Sequence, residues 1–118
     1  MNIEKFRELC LSKNGAEETL PFDEVTLVFK VGGKMFAILP LDEDEPRVNL
    51  KANPEWSEEL RESHPQIIPG WHMNKKHWNT VYIEDELDED LIIKLVHHSY
   101  DLVYSKLPKK LKETIPQD

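Results

Sequence analysis

Residues 26–39, Thr-Leu-Val-Phe-Lys-Val-Gly-Gly-Lys-Met-Phe-Ala-Ile-Leu, carry the clearest fold signal in the chain. Two runs rich in β-branched and aromatic residues flank Gly32-Gly33, a two-residue connection that suits a primed hairpin turn. That turn fixes the register, so Phe29 is expected to face Phe36 on the side that meets the helices. The same side is expected to carry Leu27, Val31, Lys34 and Ile38, and the other side Thr26, Val28, Lys30, Met35, Ala37 and Leu39.

Outside the hairpin, the periodicity of apolar residues predicts helices near both termini and further strands between them. The predicted helices span about residues 3–13, 54–64 and 89–106, with caps at Asn2, Asn53 and Asp88. The predicted strands are 47–51 and 78–83, with an irregular stretch at 65–77. This order, α-β-β-β-α-β-α, predicts an α+β fold in which helices pack on one face of an antiparallel sheet. We expect a single domain over residues 1–118, with a basic tail from about 108.

The composition indicates the cellular compartment in which the protein is expected. The chain has 118 residues and a net charge of −8, with 23 acidic and 15 basic side chains. A single cysteine, Cys10, cannot form an intrachain disulfide, which fits a reducing compartment. No apolar run approaches the roughly 20 residues needed to span a bilayer, and the N-terminus lacks the pattern of a signal peptide. We therefore expect a cytoplasmic monomer that does not associate with membranes.

Residues 70–81, Gly-Trp-His-Met-Asn-Lys-Lys-His-Trp-Asn-Thr-Val, resemble the MmcQ/YjbR family. Residues 20–22, the hairpin, Ser-Tyr-Asp-Leu-Val at 99–103 and Leu-Pro at 107–108 extend the resemblance over nearly the whole chain. It implies a CyaY-like fold, with helices on one face of an antiparallel sheet. It also implies DNA binding, a role attributed to the family through a proposed "double wing" shape.

Local clusters of cationic and aromatic residues are the candidate nucleic-acid contacts, because the net charge alone disfavours a polyanion ligand. Lys75, Lys76, His77 and Trp78 form a run without acids that could contact phosphate and stack on a base. The alternative is a solvated turn that leads into a strand, with Trp78 in the core.

The sheet face opposite the helices is a second candidate surface. It is expected to present cations and rings together with apolar groups, a mixture common in recognition surfaces. The expected residues are Lys30, Arg47, Lys51, Trp78 and Tyr82, with Val28, Met35 and Leu39. The alternative is that residues 65–77 fold across this face and cover it.

Catalytic and cofactor signals are weak. His97 and His98 are adjacent on a helix and diverge by about 100°, and His72 and His77 lack a partner cysteine, so no metal site is predicted. Cys10 lies on an apolar helical stripe and is expected to be a buried small hydrophobe. Phosphate-loop, dinucleotide and nucleophile-elbow patterns do not occur, so we predict neither an enzyme nor a bound cofactor.

The sequence therefore predicts a non-enzymatic module that binds DNA. The predicted contacts are Arg47, Lys51, Lys75, Lys76, His77, Trp78 and Tyr82. The alternatives are a protein-interaction module that uses the open sheet face, and a domain that binds a small molecule or a metal.

Overall fold

The computed structural model describes residues 1–70 and 73–117, and its strands form one antiparallel sheet. The strands are β1 (Glu17–Thr19), β2 (Thr26–Val31), β3 (Lys34–Pro40), β4 (Arg47–Lys51), β5 (Ile67–Pro69) and β6 (Trp78–Tyr82). They lie side by side in the order β1-β2-β3-β4-β6-β5. The predicted α+β fold with an antiparallel sheet is confirmed. The edge strands β1 and β5 were not predicted, because three residues are too few to show an alternating pattern.

The first three helices begin directly after the predicted capping residues. They are α1 (Ile3–Leu11), α2 (Pro54–Ser63), α3 (Glu89–Ser105) and α4 (Lys109–Thr114). The side chains of Asn2, Asn53 and Asp88 accept hydrogen bonds from backbone N–H groups in the first turns of α1, α2 and α3. Each cap thereby satisfies a donor that the helix itself leaves unpaired. The short helix α4 lies in the segment that was expected to be a basic tail.

The central hairpin turns as predicted but changes register along its length. Gly32 and Gly33 both adopt positive φ, as a type I′ turn requires. Val31 pairs with Lys34 and Lys30 with Met35, but the next pair is Phe29 with Ala37. Phe36 is therefore the extra residue of a β-bulge, and the predicted pairing of Phe29 with Phe36 is wrong.

The bulge exchanges the faces of the residues that follow it in β3. Ala37 and Leu39 belong to the main core, whereas Ile38 packs on the other side of the sheet. The expected placement of these three residues is therefore wrong. The rings of Phe29 and Phe36 still meet, with centroids 6.5 Å apart, because the bulge keeps both on the core side.

The main core lies between the sheet and the helices. Phe6 and Cys10 of α1, Leu60 of α2 and Tyr100 of α3 pack with the inner side chains of the strands. The strand residues of this core are Leu27, Phe29, Val31, Phe36, Ala37, Leu39, Val48, Leu50, Ile67 and Val81. The predicted inward positions of Val48, Leu50, Val81 and Ile83 are confirmed, since these residues are buried in this cluster.

Candidate functional site

Five lysines mark the end of the sheet at the hairpin turn, which we call the basic end: Lys34, Lys51, Lys75, Lys76 and Lys106. Lys34 begins β3 directly after the turn, and Lys51 ends β4. Lys51 pairs with Trp78 at the start of β6, so the Lys75-Lys76 turn just before β6 lies at the same end. The end of α3 also approaches the turn, because Leu107, which follows Lys106, packs against Gly32. A Cβ at Gly32 would come within 2.7 Å of the Leu107 side chain.

A local hydrogen-bond network holds the turn that carries Lys75 and Lys76. The side-chain oxygen of Asn74 accepts from the Lys76 N–H at 3.0 Å, and the backbone carbonyl of Asn74 accepts from the Trp78 N–H at 2.9 Å. The guanidinium of Arg61, on α2, donates to the carbonyls of Lys75 and Trp78 at 2.6 and 3.2 Å. The turn is therefore tied to α2, and both lysine side chains are exposed.

Arg61 and Asn79 support the basic end and were missed in the sequence. Arg61 Nε donates to Asn79 Oδ1 at 2.8 Å, and Asn79 Nδ2 donates to Ser57 Oγ at 3.0 Å. Burial lowers the pKa of Arg61, and Glu58 partly offsets this effect. The only available signal was that Ser57 and Arg61 share the face of α2 that contains Leu60.

Lys51 is partly buried, whereas Lys75 and Lys76 are exposed. Burial lowers the pKa of Lys51, and the positive charges of Lys106 and Lys34 lower it further. Its ammonium lies 5.6 Å from the centroid of the Trp78 ring, a cation–π arrangement. Three cations thus approach one another at this end of the sheet.

Trp78 belongs to the core, as the alternative for the run 75–78 has it, so its expected place among the exposed rings of the open sheet face is wrong. It is 5% exposed and packs with Val28 and Ile38 in a small cluster on the sheet face opposite the helices. His77 is half-buried, and its carbonyl accepts from the Ala52 N–H at 2.8 Å. The indole therefore has too little free surface to stack on a base.

Arg47 and Tyr82 lie at the opposite end of the same strands. They pair with each other across β4 and β6, four positions from the Lys51–Trp78 pair. At about 3.3 Å per residue, this separation is roughly 13 Å. Arg47 also forms an ion pair with Glu43 at 3.0 Å. The predicted patch therefore divides into Lys51, Lys75, Lys76 and His77 at one end, and Arg47 and Tyr82 at the other.

The open sheet face is less exposed than predicted. Val28 is fully buried on this face, and Met35 and Met73 pack against the small cluster around Trp78. Leu39, expected here, lies in the main core on the helix side. Met73 belongs to the segment 65–77, so part of that segment covers the face. Beside the covered area, Arg47, Ile68, Thr80 and Tyr82 line a shallow groove of about 380 Å³.

Carboxylates dominate the loops at the second end of the sheet, which we call the acidic end. Its acids are Asp23 and Glu24 before β2, Asp42, Glu43, Asp44 and Glu45 between β3 and β4, and Glu84, Asp85 and Glu86 after β6. Because neighbouring strands run antiparallel, these three loops emerge at the same end. The charges that appear mixed in the sequence are therefore separated along the strands.

The residues weighed for metal binding or catalysis do not form a site within residues 1–70 and 73–117. No group of three or more His, Cys, Asp or Glu is placed there to hold a metal ion. His98 Nε2 accepts from the Asn53 N–H at 3.1 Å, and His97 contacts Lys13. His72 lies outside the described residues. Cys10 is buried, and its burial raises the pKa of the thiol.

None of the helices described by the structure is both long and apolar enough to cross a membrane.

Comparison with known proteins finds similarity along almost the whole chain. The model of the YjbR family matches residues 11–102. The uncharacterised protein YjbR of Escherichia coli K12 is 35% identical over 117 residues, which cover 99% of each chain. YbdF of Escherichia coli O157:H7 is 38% identical over 107 residues, 91% of this chain and 88% of the relative.

Solved structures share the fold as well. The crystal structure of Deinococcus radiodurans protein DR2400, a DUF419 domain, superposes with a TM-score of 0.90 at 40% identity. The match covers 98% of this chain and 89% of that one. A crystal structure of a Pseudomonas syringae protein gives a TM-score of 0.76 at 28% identity, over 87% and 99% of the two chains.

Proposed function

We propose that this chain, which belongs to the YjbR family, is a non-enzymatic module that binds nucleic acid through the basic end of its sheet. Lys51, Lys75 and Lys76 are the proposed phosphate contacts. His77 borders them, and Lys34 and Lys106 enlarge the cationic surface.

The observation that carries this proposal is the separation of charge along the strands. The stretches 32–34, 51–53 and 73–78, which meet at the basic end, contain no aspartate or glutamate. The carboxylates at the acidic end lie at the opposite end of the strands. A polyanion can therefore approach one end of a protein whose net charge is negative, because interactions beyond about 10 Å are largely screened at 0.1 M salt.

Repulsion among the cations of the basic end also supports the proposed binding of phosphate. Burial is the main cause of the lowered pKa of Lys51, and the charges of Lys106 and Lys34 lower it further, so these cations oppose one another in the free protein. A phosphate placed between them would relieve this repulsion and release counterions from the nucleic acid. We expect the Lys51 pKa to rise when a polyanion binds.

The burial of Trp78 bears on the mode of binding. With the indole enclosed, affinity would come from phosphate contacts and would depend little on base sequence. Arg61 acts as a positioning residue in this scheme, because its guanidinium fixes the backbone of the lysine turn. The thiol of Cys10, with its raised pKa and buried position, is unsuited to nucleophilic catalysis.

The test is the salt dependence of oligonucleotide binding. The variant Lys51→Ala/Lys75→Ala/Lys76→Ala is compared with Lys5→Ala/Arg47→Ala/Lys94→Ala, which removes the same charge away from the basic end. Fluorescence anisotropy with duplex and single-stranded DNA gives the slope of log affinity against log salt. For duplex DNA, the slope should weaken by about 0.9 for each lost phosphate contact in the first variant and hardly change in the second.

Two results would overturn the proposal. One is the absence of binding by the unmodified protein at low salt. The other is an equal loss in both variants, since that would reflect net charge and not the basic end.

A further inference from the structure

Large apolar side chains are exposed beside the acidic end, and we call them the apolar patch: Leu20, Phe22, Val25 and Leu41. Phe22 is 65% exposed and Leu20 is 50% exposed. The Leu41 N–H donates to the Val25 carbonyl at 2.6 Å, so the loops before β2 and after β3 lie side by side. Clustered exposure of this kind is typical of interaction sites.

Hydrogen bonds give the loop that carries Phe22 a defined shape. The carboxylate of Asp23 accepts from the Val25 N–H at 2.9 Å and from the Thr26 hydroxyl at 3.1 Å. These bonds lower the pKa of Asp23, the backbone bond from Val25 contributing most. The apolar side chains are therefore presented on a folded turn that is anchored to the first residue of β2.

The surroundings of the apolar patch restrict what can cover it. Asp23 and Glu24 lie within one of its loops, and Asp42 follows Leu41 in an acidic run that reaches Glu45. Arg47, the nearby cation, is engaged by Glu43 of that run. A partner that buries the patch must therefore bring positive charge together with an apolar side chain.

The helix α4 of this chain has that chemistry. Its sequence Lys109-Lys110-Leu111-Lys112 places a leucine among three lysines, and Leu111 is 39% exposed. None of the residues of α4 is buried. Contacts on both sides hold the helix in place, since Leu107 packs near Gly32 and Ile115 packs near Gly15.

We propose that the apolar patch of one copy receives α4 of a second copy, in a head-to-tail contact. Within one molecule, α4 begins beside the hairpin turn, whereas the patch lies where β2 begins and β3 ends. These places are separated by the length of the hairpin, about 20 Å for six residues, so one chain cannot make the contact with itself. Leu111 would enter the patch, and Lys110 and Lys112, about 100° to either side of it on the helix, would meet the surrounding carboxylates.

In a head-to-tail arrangement this contact is made once between two copies and leaves a free patch and a free helix on every dimer. Association then continues into a ring or a chain of copies. The contact depends partly on charge and should weaken in about 1 M salt, where the Debye length is about 3 Å. It departs from the monomer expected from the sequence and does not rest on nucleic-acid binding.

Analytical ultracentrifugation of the full chain, without nucleic acid, tests the proposal. The average mass of the unmodified protein should rise with concentration at low salt and fall towards the monomer at about 1 M salt. Phe22→Asp and Leu111→Asp should each be monomeric. Ile68→Asp, at a leucine-sized residue of similar exposure on β5, should associate like the unmodified protein.

Mixing the two disabled variants gives the decisive result. Phe22→Asp retains α4, and Leu111→Asp retains the patch, so the mixture should form one-to-one dimers that grow no further. A monomeric unmodified protein at low salt and high concentration would overturn the proposal, as would a mixture that stays monomeric. If circular dichroism shows that either aspartate variant is unfolded, Phe22→Ser and Leu111→Ser replace them in the same mixing experiment.

Discussion

The two ends of the sheet are built from the same strands but present opposite chemistry. At the acidic end, carboxylates surround exposed apolar side chains on loops. At the basic end, lysines surround a buried tryptophan, and helices α2 and α3 hold their backbone. Antiparallel pairing produces this separation, because it returns every second connection to the same end. A net charge of −8 therefore says little about what each end can bind.

The largest effect is expected where α3 supports the basic end. Ser99 is fully buried, and its hydroxyl donates to the Phe36 carbonyl at 2.5 Å and accepts from the Lys51 N–H at 2.9 Å. Ser99→Ala leaves both backbone groups without this partner, so the free energy of unfolding should fall by about 2–4 kcal/mol. Urea denaturation measures the change. The control Ser105→Ala, on the exposed side of the same helix, should stay within about 0.5 kcal/mol.

A smaller effect is expected where α2 holds the lysine turn. Arg61→Lys keeps the charge but loses the planar guanidinium that reaches Asn79 and two carbonyls. We expect a loss of about 1–2 kcal/mol in stability, together with weaker binding of oligonucleotides. Arg7→Lys, at the exposed ion pair with Glu18, is the matched control and should change stability by less than about 1 kcal/mol. Unchanged stability of Arg61→Lys would show that the turn does not depend on α2.

The smallest effect concerns pH. Burial lowers the pKa of His98 below its ordinary value of 6.5, against the opposing effect of Asp101. The folded state therefore binds this proton less readily than the unfolded chain. The contribution of His98 to stability is fully present above pH 6.5 and decreases as the pH falls below that value.

Thermal unfolding between about pH 7 and pH 5 measures this dependence, and His98→Gln should make it shallower. Nuclear magnetic resonance titration of the His98 ring gives the pKa directly. A value at or above 6.5 would contradict the prediction. The His98 ring accepts from the N–H of Asn53, two residues after Lys51. Protonation of His98 should therefore weaken the structure at the basic end.

Much of the fold could be predicted because its signals are local. The glycine pair predicted the hairpin turn, and the alternation of apolar residues predicted the inner faces of β4 and β6. The starts of three helices were predicted from their capping residues, Asn2, Asn53 and Asp88. The bulge at Phe36 could not be predicted, since either register buries the phenylalanines and only packing against α1 and α3 distinguishes them. The strands β1 and β5 could not be predicted either, because they depend on pairing with the neighbouring strands and three residues show no alternating pattern.

The candidate site was predicted in part. Lys51, Lys75 and Lys76 share one end as expected, and their role in binding stays a prediction. Arg47 and Tyr82 were grouped with Lys51 because they lie on the same face of β4 and β6, although alternation gives the face of a residue and not its position along the strand. Arg61 and Asn79 were missed because their partnership joins residues 18 positions apart.

The sequence by itself determined the three longer helices, the four longer strands, the hairpin turn and the family, because those depend on local residue preferences and on similarity along the chain. Only the tertiary structure decided which charges are neighbours, that Trp78 is enclosed and that Phe22 is exposed. These properties depend on distances between residues far apart in the chain, and such distances are set by how the strands pair and how the helices cover them.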